Sequence, residues 1–134
     1  MKRSAVRAVD TNVLVRLLTD DNEAQTRIAK RIMATGDTFI SSTVLLETEW
    51  VLRGAYRFAR NELNDALSAL GGLRGVTFEA PDVVAQALYW HREGMDFADA
   101  IHLASASRCD AFVTFDRKFA KRAQAVDAPP VEML

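Results

Sequence analysis

Asp96-Phe-Ala-Asp99-Ala-Ile-His-Leu-Ala-Ser-Ala-Ser-Arg-Cys-Asp110-Ala-Phe-Val-Thr-Phe-Asp116 is the stretch around which the rest of the chain is organised. Asp96 and Asp99 stand three apart at the opening of an Ala-rich helical pattern, so both project from one side of its first turn. That pattern runs to about Arg108, and Ala111 to Phe115 follows as a short apolar, β-favouring run. The run ends on Asp116. In an open α/β sheet, ligands gather outside the carboxyl ends of the strands, which is where Asp116 would stand. Two carboxylates on a helix start and one on a strand end are the beginning of a metal site. Each has a structural reading as well. Asp96 could be only an N-cap, Asp99 a first-turn charge favoured by the helix dipole, and Asp116 the N-cap of the segment from Arg117 to Arg122.

Working outward, Val6 to Val9 is a short strand candidate interrupted by Arg7, and it ends at Asp10. Asp10-Thr11-Asn12 then leads into the helical run Val13 to Leu18, so a carboxylate sits between a strand and a helix. Asn12 is either a cap or a residue that orients Asp10 from behind. A second helix is expected from Asn22 to about Thr35, with Ala24, Ile28, Ala29 and Ile32 as its apolar stripe and Gly36 as its stop. Its Arg27, Lys30 and Arg31 form a basic face, a pattern that is usually just solvated and less often contacts RNA.

Thr38-Phe39-Ile40 reads as a second strand, and Ser41, Ser42 and Thr43 offer cap oxygens to a helix from Val44 to about Tyr56. Glu49 has Arg53 four residues on, the favourable ordering for an exposed ion pair. Glu47 has Val44, Trp50 and Val51 as neighbours and no basic residue in reach. An acid on an apolar face needs a proton, a partner or a metal, which makes Glu47 the better site candidate. Leu63, Ala66, Leu67 and Leu70 form a helical stripe stopped by Gly71-Gly72. Val76 to Phe78 is a third strand, and Pro81 opens a helix that runs to Gly94. His91 reads as a partly exposed residue. His102, three residues after Asp99, could bind metal but more often such a histidine does not. After the basic segment Arg117 to Arg122, Pro129-Pro130 leads into a short C-terminal strand or tail.

Strands alternating with helices, without repeats or low-complexity linkers, predict an α/β fold. The expected architecture is three layers, α/β/α, around a mostly parallel central sheet of about five short strands. At 134 residues, the chain reads as one domain spanning 1–134, long enough to bury a core. Its composition, 49% hydrophobic and 26% charged, is that of a soluble globular protein. No apolar run approaches a membrane span, and no signal peptide is apparent. Cys109 is the only cysteine, which excludes an intrachain disulfide and makes a reducing cytoplasm the expected setting. It is expected as a buried small hydrophobe. The net charge of −1 does not advertise a nucleic-acid binder.

Asp10, Glu47, Asp99 and Asp116 form a set, with Asp96 as a fifth, and a single cleft could collect them. Like charges at 4 Å repel by roughly 4 kcal/mol per pair at an effective dielectric near 20. A fold keeps such a cluster when something offsets it, and Mg²⁺ or Mn²⁺, hard and oxygen-seeking, suits carboxylates and water. Zn²⁺ is disfavoured by one cysteine and two unclustered histidines.

The order Asp10-Thr-Asn-Val-Leu, Glu47-Thr-Glu-Trp-Val-Leu, Asp96-Phe-Ala-Asp99-Ala-Ile-His-Leu-Ala and Val113-Thr-Phe-Asp116 resembles a PIN domain. Within that superfamily it is most similar to VapC-type toxins of toxin–antitoxin pairs. Each motif alone is weak, but the four in order cover nearly the whole chain. The resemblance implies a Mg²⁺- or Mn²⁺-dependent endoribonuclease, usually a homodimer, inhibited by a small antitoxin. By position it implies Asp10, Glu47, Asp99 and Asp116 as the catalytic, metal-binding acids. It also implies Asp96 as an often acidic position and Thr114 as a supporting hydroxyl. Products with 5′-phosphate and 3′-hydroxyl ends are implied too. Two rivals are weaker. A receiver-type signalling module would need an acidic pair after the first strand, where this chain has Thr11-Asn12. A catalytically silent PIN scaffold that only binds a protein or RNA partner is argued against by the intact acidic quartet.

Overall fold

Parallel strands cannot be joined by a tight turn, so each return to the sheet requires a crossover of helix. In this chain each crossover of the first sheet takes two helices. The computed structural model describes residues 5–134; the start of the chain, inspected above for a leader, lies partly outside them. Contacts within the chain divide it into two units, Met1–Pro81 and Asp82–Leu134.

The first unit holds strands β1 (Val6–Ala8), β2 (Asp37–Ile40) and β3 (Val76–Phe78), all parallel, in the order β1-β2-β3. Helices α1 (Thr11–Leu18) and α2 (Glu23–Ala34) connect β1 to β2, and α3 (Ser42–Gly54) and α4 (Arg60–Gly71) connect β2 to β3. Arg7, which interrupts the apolar pattern of β1, has a structural role. Its guanidinium donates to the carbonyls of Ile32 and Thr35 at 3.1 and 2.6 Å, satisfying the open end of α2. Leu14, Ile40, Leu45, Leu52, Leu63, Leu67 and Leu70 are buried almost completely. At the α1–α2 junction Arg16 pairs with Asp21 at 2.8 Å, and the Tyr56 hydroxyl donates to the same carboxylate. The Tyr56 hydrogen bond, first, and Arg16 beside it hold the Asp21 carboxyl below the usual carboxylate range.

The second unit holds α5 (Pro81–Arg92, counting its first residue from the end of the first unit), α6 (Phe97–Ser105), β4 (Phe112–Thr114), α7 (Arg117–Gln124) and β5 (Val131–Met133). Strands β4 and β5 pair in parallel, Val113 opposite Glu132. Phe112 on β4 stacks on Phe119 of α7 with ring centroids 4.8 Å apart.

The α/β class and the parallel pairing agree with expectation, but among the described residues the strands do not pair into a single sheet of about five. The ladders are one of three strands and one of two. With strands of three or four residues, each ladder carries few hydrogen bonds, and β4 finds its partner in the C-terminal strand. Side-chain faces also depart from the simple periodic reading. On α2 the buried residues are Thr26, Ala29 and Met33, while Ala24 and Ile28 are exposed. Thr26 faces inward because its hydroxyl donates to the Arg16 carbonyl at 2.9 Å. Helix α6 ends at Ser105 instead of near Arg108, so Cys109 lies in the following turn and is exposed, not buried. His91 is buried at 3% exposure, its ring edge-on to Phe97, where a partly exposed residue was expected.

On α3 the buried face is Leu45, Thr48, Glu49 and Leu52, spaced at i, i+3, i+4 and i+7. This turns Glu47 and Trp50 out to solvent, so Glu47 is not an acid trapped on an apolar face. The Glu49–Arg53 pair forms as expected, with Arg53 Nε 2.8 Å from Glu49 Oε2, but Glu49 is 3% exposed instead of solvated. A buried carboxylate with one guanidinium partner is an anchor. Glu49→Gln should therefore cost about 1–2 kcal/mol, a fall of several degrees in melting temperature, whereas Glu47→Gln should leave it unchanged. Thermal melts of the two variants by circular dichroism check this, and equal melting would overturn the structural role given to Glu49.

Candidate active site

The second unit brings three of the expected acids to the starts of two helices. Asp96 is the N-cap of α6, its Oδ2 accepting from the Asp99 backbone N–H at 3.2 Å. Asp116 is the N-cap of α7, its Oδ1 accepting from the Phe119 N–H at 3.0 Å. The structural readings of both residues as caps are thus correct, and they do not compete with a functional one. Each cap bond engages one carboxylate oxygen and fixes where the group stands. Thr114 Oγ1 accepts from the Asp116 N–H at 2.9 Å.

Asp99 lies in the first turn of α6 and is partly buried. Burial first, then the negative charges of Asp96 and Asp116, push its carboxyl above the ordinary carboxylate value, and the His102 charge opposes them. Asp96 and Asp116 are therefore near enough to act on Asp99. His102 is exposed and acts on Asp99 electrostatically.

In the first unit, Asp10 follows β1 and caps α1, with Oδ1 accepting from the Thr11 N–H at 2.8 Å. Asn12 is thus inside the helix and is not the cap; it is exposed. The buried Thr11 hydroxyl beside Asp10 has no hydrogen-bond partner among the described residues. Glu47 projects from α3, exposed and about one and a half turns from the helix start. Glu79, a residue with no sequence signal beyond its place after β3, accepts from the Ser42 N–H at 3.0 Å. Asp10, Ser42 and Glu79 thus all follow the carboxyl ends of the three parallel strands, the edge at which α/β sheets take ligands.

Among the described residues, no three His, Cys, Asp or Glu side chains stand as a ready coordination group. The donors are nonetheless all carboxylate oxygens, the chemistry of a hard divalent cation. Mg²⁺ keeps several of its waters and binds through one or two carboxylates, so it does not require three protein ligands in direct contact.

The Asp99 environment has a measurable consequence. Because its folded carboxyl titrates above the unfolded one, the native state holds this proton more tightly, and the penalty is present in full above that raised value. It fades as pH falls through it toward about 4. Asp99→Asn, without metal and at neutral pH, should melt higher than the parent by on the order of 2–4 °C, a small gain because solvent screens the charges. The difference should shrink in acid. A variant that melts lower in EDTA would make Asp99 a structural first-turn charge instead.

Residues 7–125 match the family model described as the PIN domain. No curated protein matches the chain. Among solved structures the chain is similar to the crystal structure of Mycobacterium tuberculosis VapC20, a sarcin-ricin loop cleaving toxin. The two share 23% sequence identity over 87% of this chain and 94% of that one, with a TM-score of 0.43. At that score the likeness carries no argument of its own, whereas the family match spans nearly the whole chain and both of its units. With strand-end and helix-cap acids at Asp10, Asp96 and Asp116, the chain belongs to the PIN-domain family.

Proposed function

We propose that the chain, with residues 1–134 acting as one domain, is a Mg²⁺- or Mn²⁺-dependent endoribonuclease and the toxin of a VapC-type toxin–antitoxin pair. The observation that carries this reading is the placement of three acids at two neighbouring helix starts, Asp96 capping α6 with Asp99 in its first turn and Asp116 capping α7. A fold that places uncompensated carboxylates together pays in repulsion, and a cation relieves it. Membership of the PIN family and the presence of acids at Asp10, Glu47, Asp99 and Asp116 support the same reading.

Those four residues would hold the metal, which when bound supplies a more acidic water and a counter-charge for the phosphoryl oxygens. The chain's own residues do the positioning. Thr114 holds the Asp116 backbone, Asp96 closes the first turn beneath Asp99, and Asp10 is tied to the first amide of α1. Asn12, exposed in the first turn of α1, is a supporting residue on the same reading. Glu47 enters on the family resemblance, since its solvent exposure removes the apolar-face argument.

A small antitoxin is the proposed protein partner. A homodimer is the proposed assembly, supported by Trp50, which is 65% exposed on α3. Among the described residues no helix is long and apolar enough to cross a membrane, and a cytoplasmic setting is proposed from the single cysteine.

The protein should cleave RNA with Mg²⁺ or Mn²⁺ and stop with EDTA, leaving 5′-phosphate ends that ligate directly to an adapter requiring them. Glu47→Gln should lower cleavage by about 100-fold or more, as expected for a group at or next to the metal. Cyclic-phosphate ends would sink the metal-water route, and full activity of Glu47→Gln would remove Glu47 from the site.

A further inference from the structure

On either side of Asp116 the chain carries an exposed aromatic ring, just before it, and four cations, after it, that the proposed reaction does not use. Helix α7 buries Phe119, Ala120 and Ala123 and exposes Arg117, Lys118, Lys121 and Arg122. One short helix thus concentrates four positive charges in a chain of net charge −1. Among the described residues none of the four takes part in an ion pair or side-chain hydrogen bond, whereas Arg16 and Arg53 are both paired with acids. The basic group that acts on Asp99 is His102, not one of these four.

Lys118, Lys121 and Arg122 line an open cavity of about 380 Å³. The Arg122 guanidinium lies over Gly94, where an added Cβ would stand 3.2 Å from Nη1 and where φ is +116°. This places the guanidinium beside the turn that leads into Asp96. Phe115 is the second observation. It lies between Thr114 and Asp116 and is 78% exposed, while its neighbours Phe112 and Phe119 stack on each other. The ring therefore contributes little to packing. An exposed aromatic beside an unpaired cationic face is the composition of surfaces that bind single-stranded nucleic acid, with bases stacked on rings and phosphates held by cations.

We propose that Phe115 and the cationic face of α7 form a single-stranded RNA subsite flanking the acids, with Phe115 stacking a base and Lys118, Lys121 and Arg122 holding the phosphates. This rests on the ribonuclease reading and names the surface that holds its substrate. The basic face of α2, at Arg27, Lys30 and Arg31, carries similar charge, but no candidate acid borders it in the sequence.

The test uses the full chain in an Asp99→Asn background, without metal, with a fluorescein-labelled single-stranded RNA of mixed sequence read by anisotropy over a salt series. Lys118→Gln, Lys121→Gln and Arg122→Gln together should raise Kd at least about tenfold. They should also reduce the slope of log affinity against log salt by about 2, at roughly 0.7 per phosphate contact. Phe115→Ala should raise Kd about fivefold or more at an unchanged slope, and Phe115→Trp should restore binding. Arg27→Gln, Lys30→Gln and Arg31→Gln together should change neither. All these side chains are exposed, so melting temperatures should stay level. Unchanged binding and slope in the α7 variant, a neutral Phe115→Ala, or an equal loss from the α2 variant would each overturn the subsite. Cleavage with the native Asp99 separates the two readings. If RNA is still cleaved with unchanged KM after the α7 substitutions, the chain is a ribonuclease that holds RNA elsewhere. If the unsubstituted chain neither cleaves nor binds RNA, both readings fail.

Discussion

One hydrogen bond, repeated at three helix starts, underlies the candidate site: an aspartate oxygen accepting from a backbone N–H of the first turn. Asp10, Asp96 and Asp116 each make it. Such a cap stabilises its helix by about 1 kcal/mol, and the helix dipole adds a few tenths more for a charged group. The same bond fixes one carboxylate oxygen on a rigid element, which is the precision that a metal or phosphate site needs. Asparagine caps as well as aspartate, and this chain uses it for α2 at Asn22. Capping by itself therefore does not select a charge at the other positions.

The charge becomes costly in the second unit, where Asp96 and Asp116 act on Asp99. There the dipole of α6 favours an ionised first-turn acid, but burial and two neighbouring carboxylates oppose it and prevail. A structural ion-pair network would have placed a lysine or arginine within reach. Instead the chain keeps four cations on the exposed face of the next helix, next in sequence to the acids yet unpaired. Separation of acids from cations over so short a segment leaves each sign available to a ligand, the acids to a cation and α7 to an anion.

Elsewhere, charge is used for structure. Glu49 and Arg53 form a pair on the inner side of α3, Arg16 and Tyr56 share Asp21 at the α1–α2 junction, and Arg7 closes the end of α2. Glu79 takes the first amide of α3 from the end of β3. These partnered groups contrast with exposed Glu47, Phe115 and the face of α7, and the contrast separates framework from candidate surface.

The sequence by itself determined the order of strands and helices, the caps at Asp96 and Asp116, the acids worth considering and the Glu49–Arg53 pair, whereas the first helix takes its cap from Asp10 and not from Asn12. Those features are set within a few residues, by side-chain period and by hydrogen bonds to the next turn, so a local reading reaches them. Only the tertiary structure decided which side of each helix faces inward. It buried Glu49 and Thr26 and exposed Glu47 and Ile28. It also placed His91 against Phe97, left Cys109 in a solvent-exposed turn, and divided the five strands of the described residues between two ladders. An amphipathic pattern names a stripe only to within a turn of the helix. Which neighbour covers that stripe, and which polar atom finds a partner there, depends on residues distant in sequence, whose contacts no local period encodes.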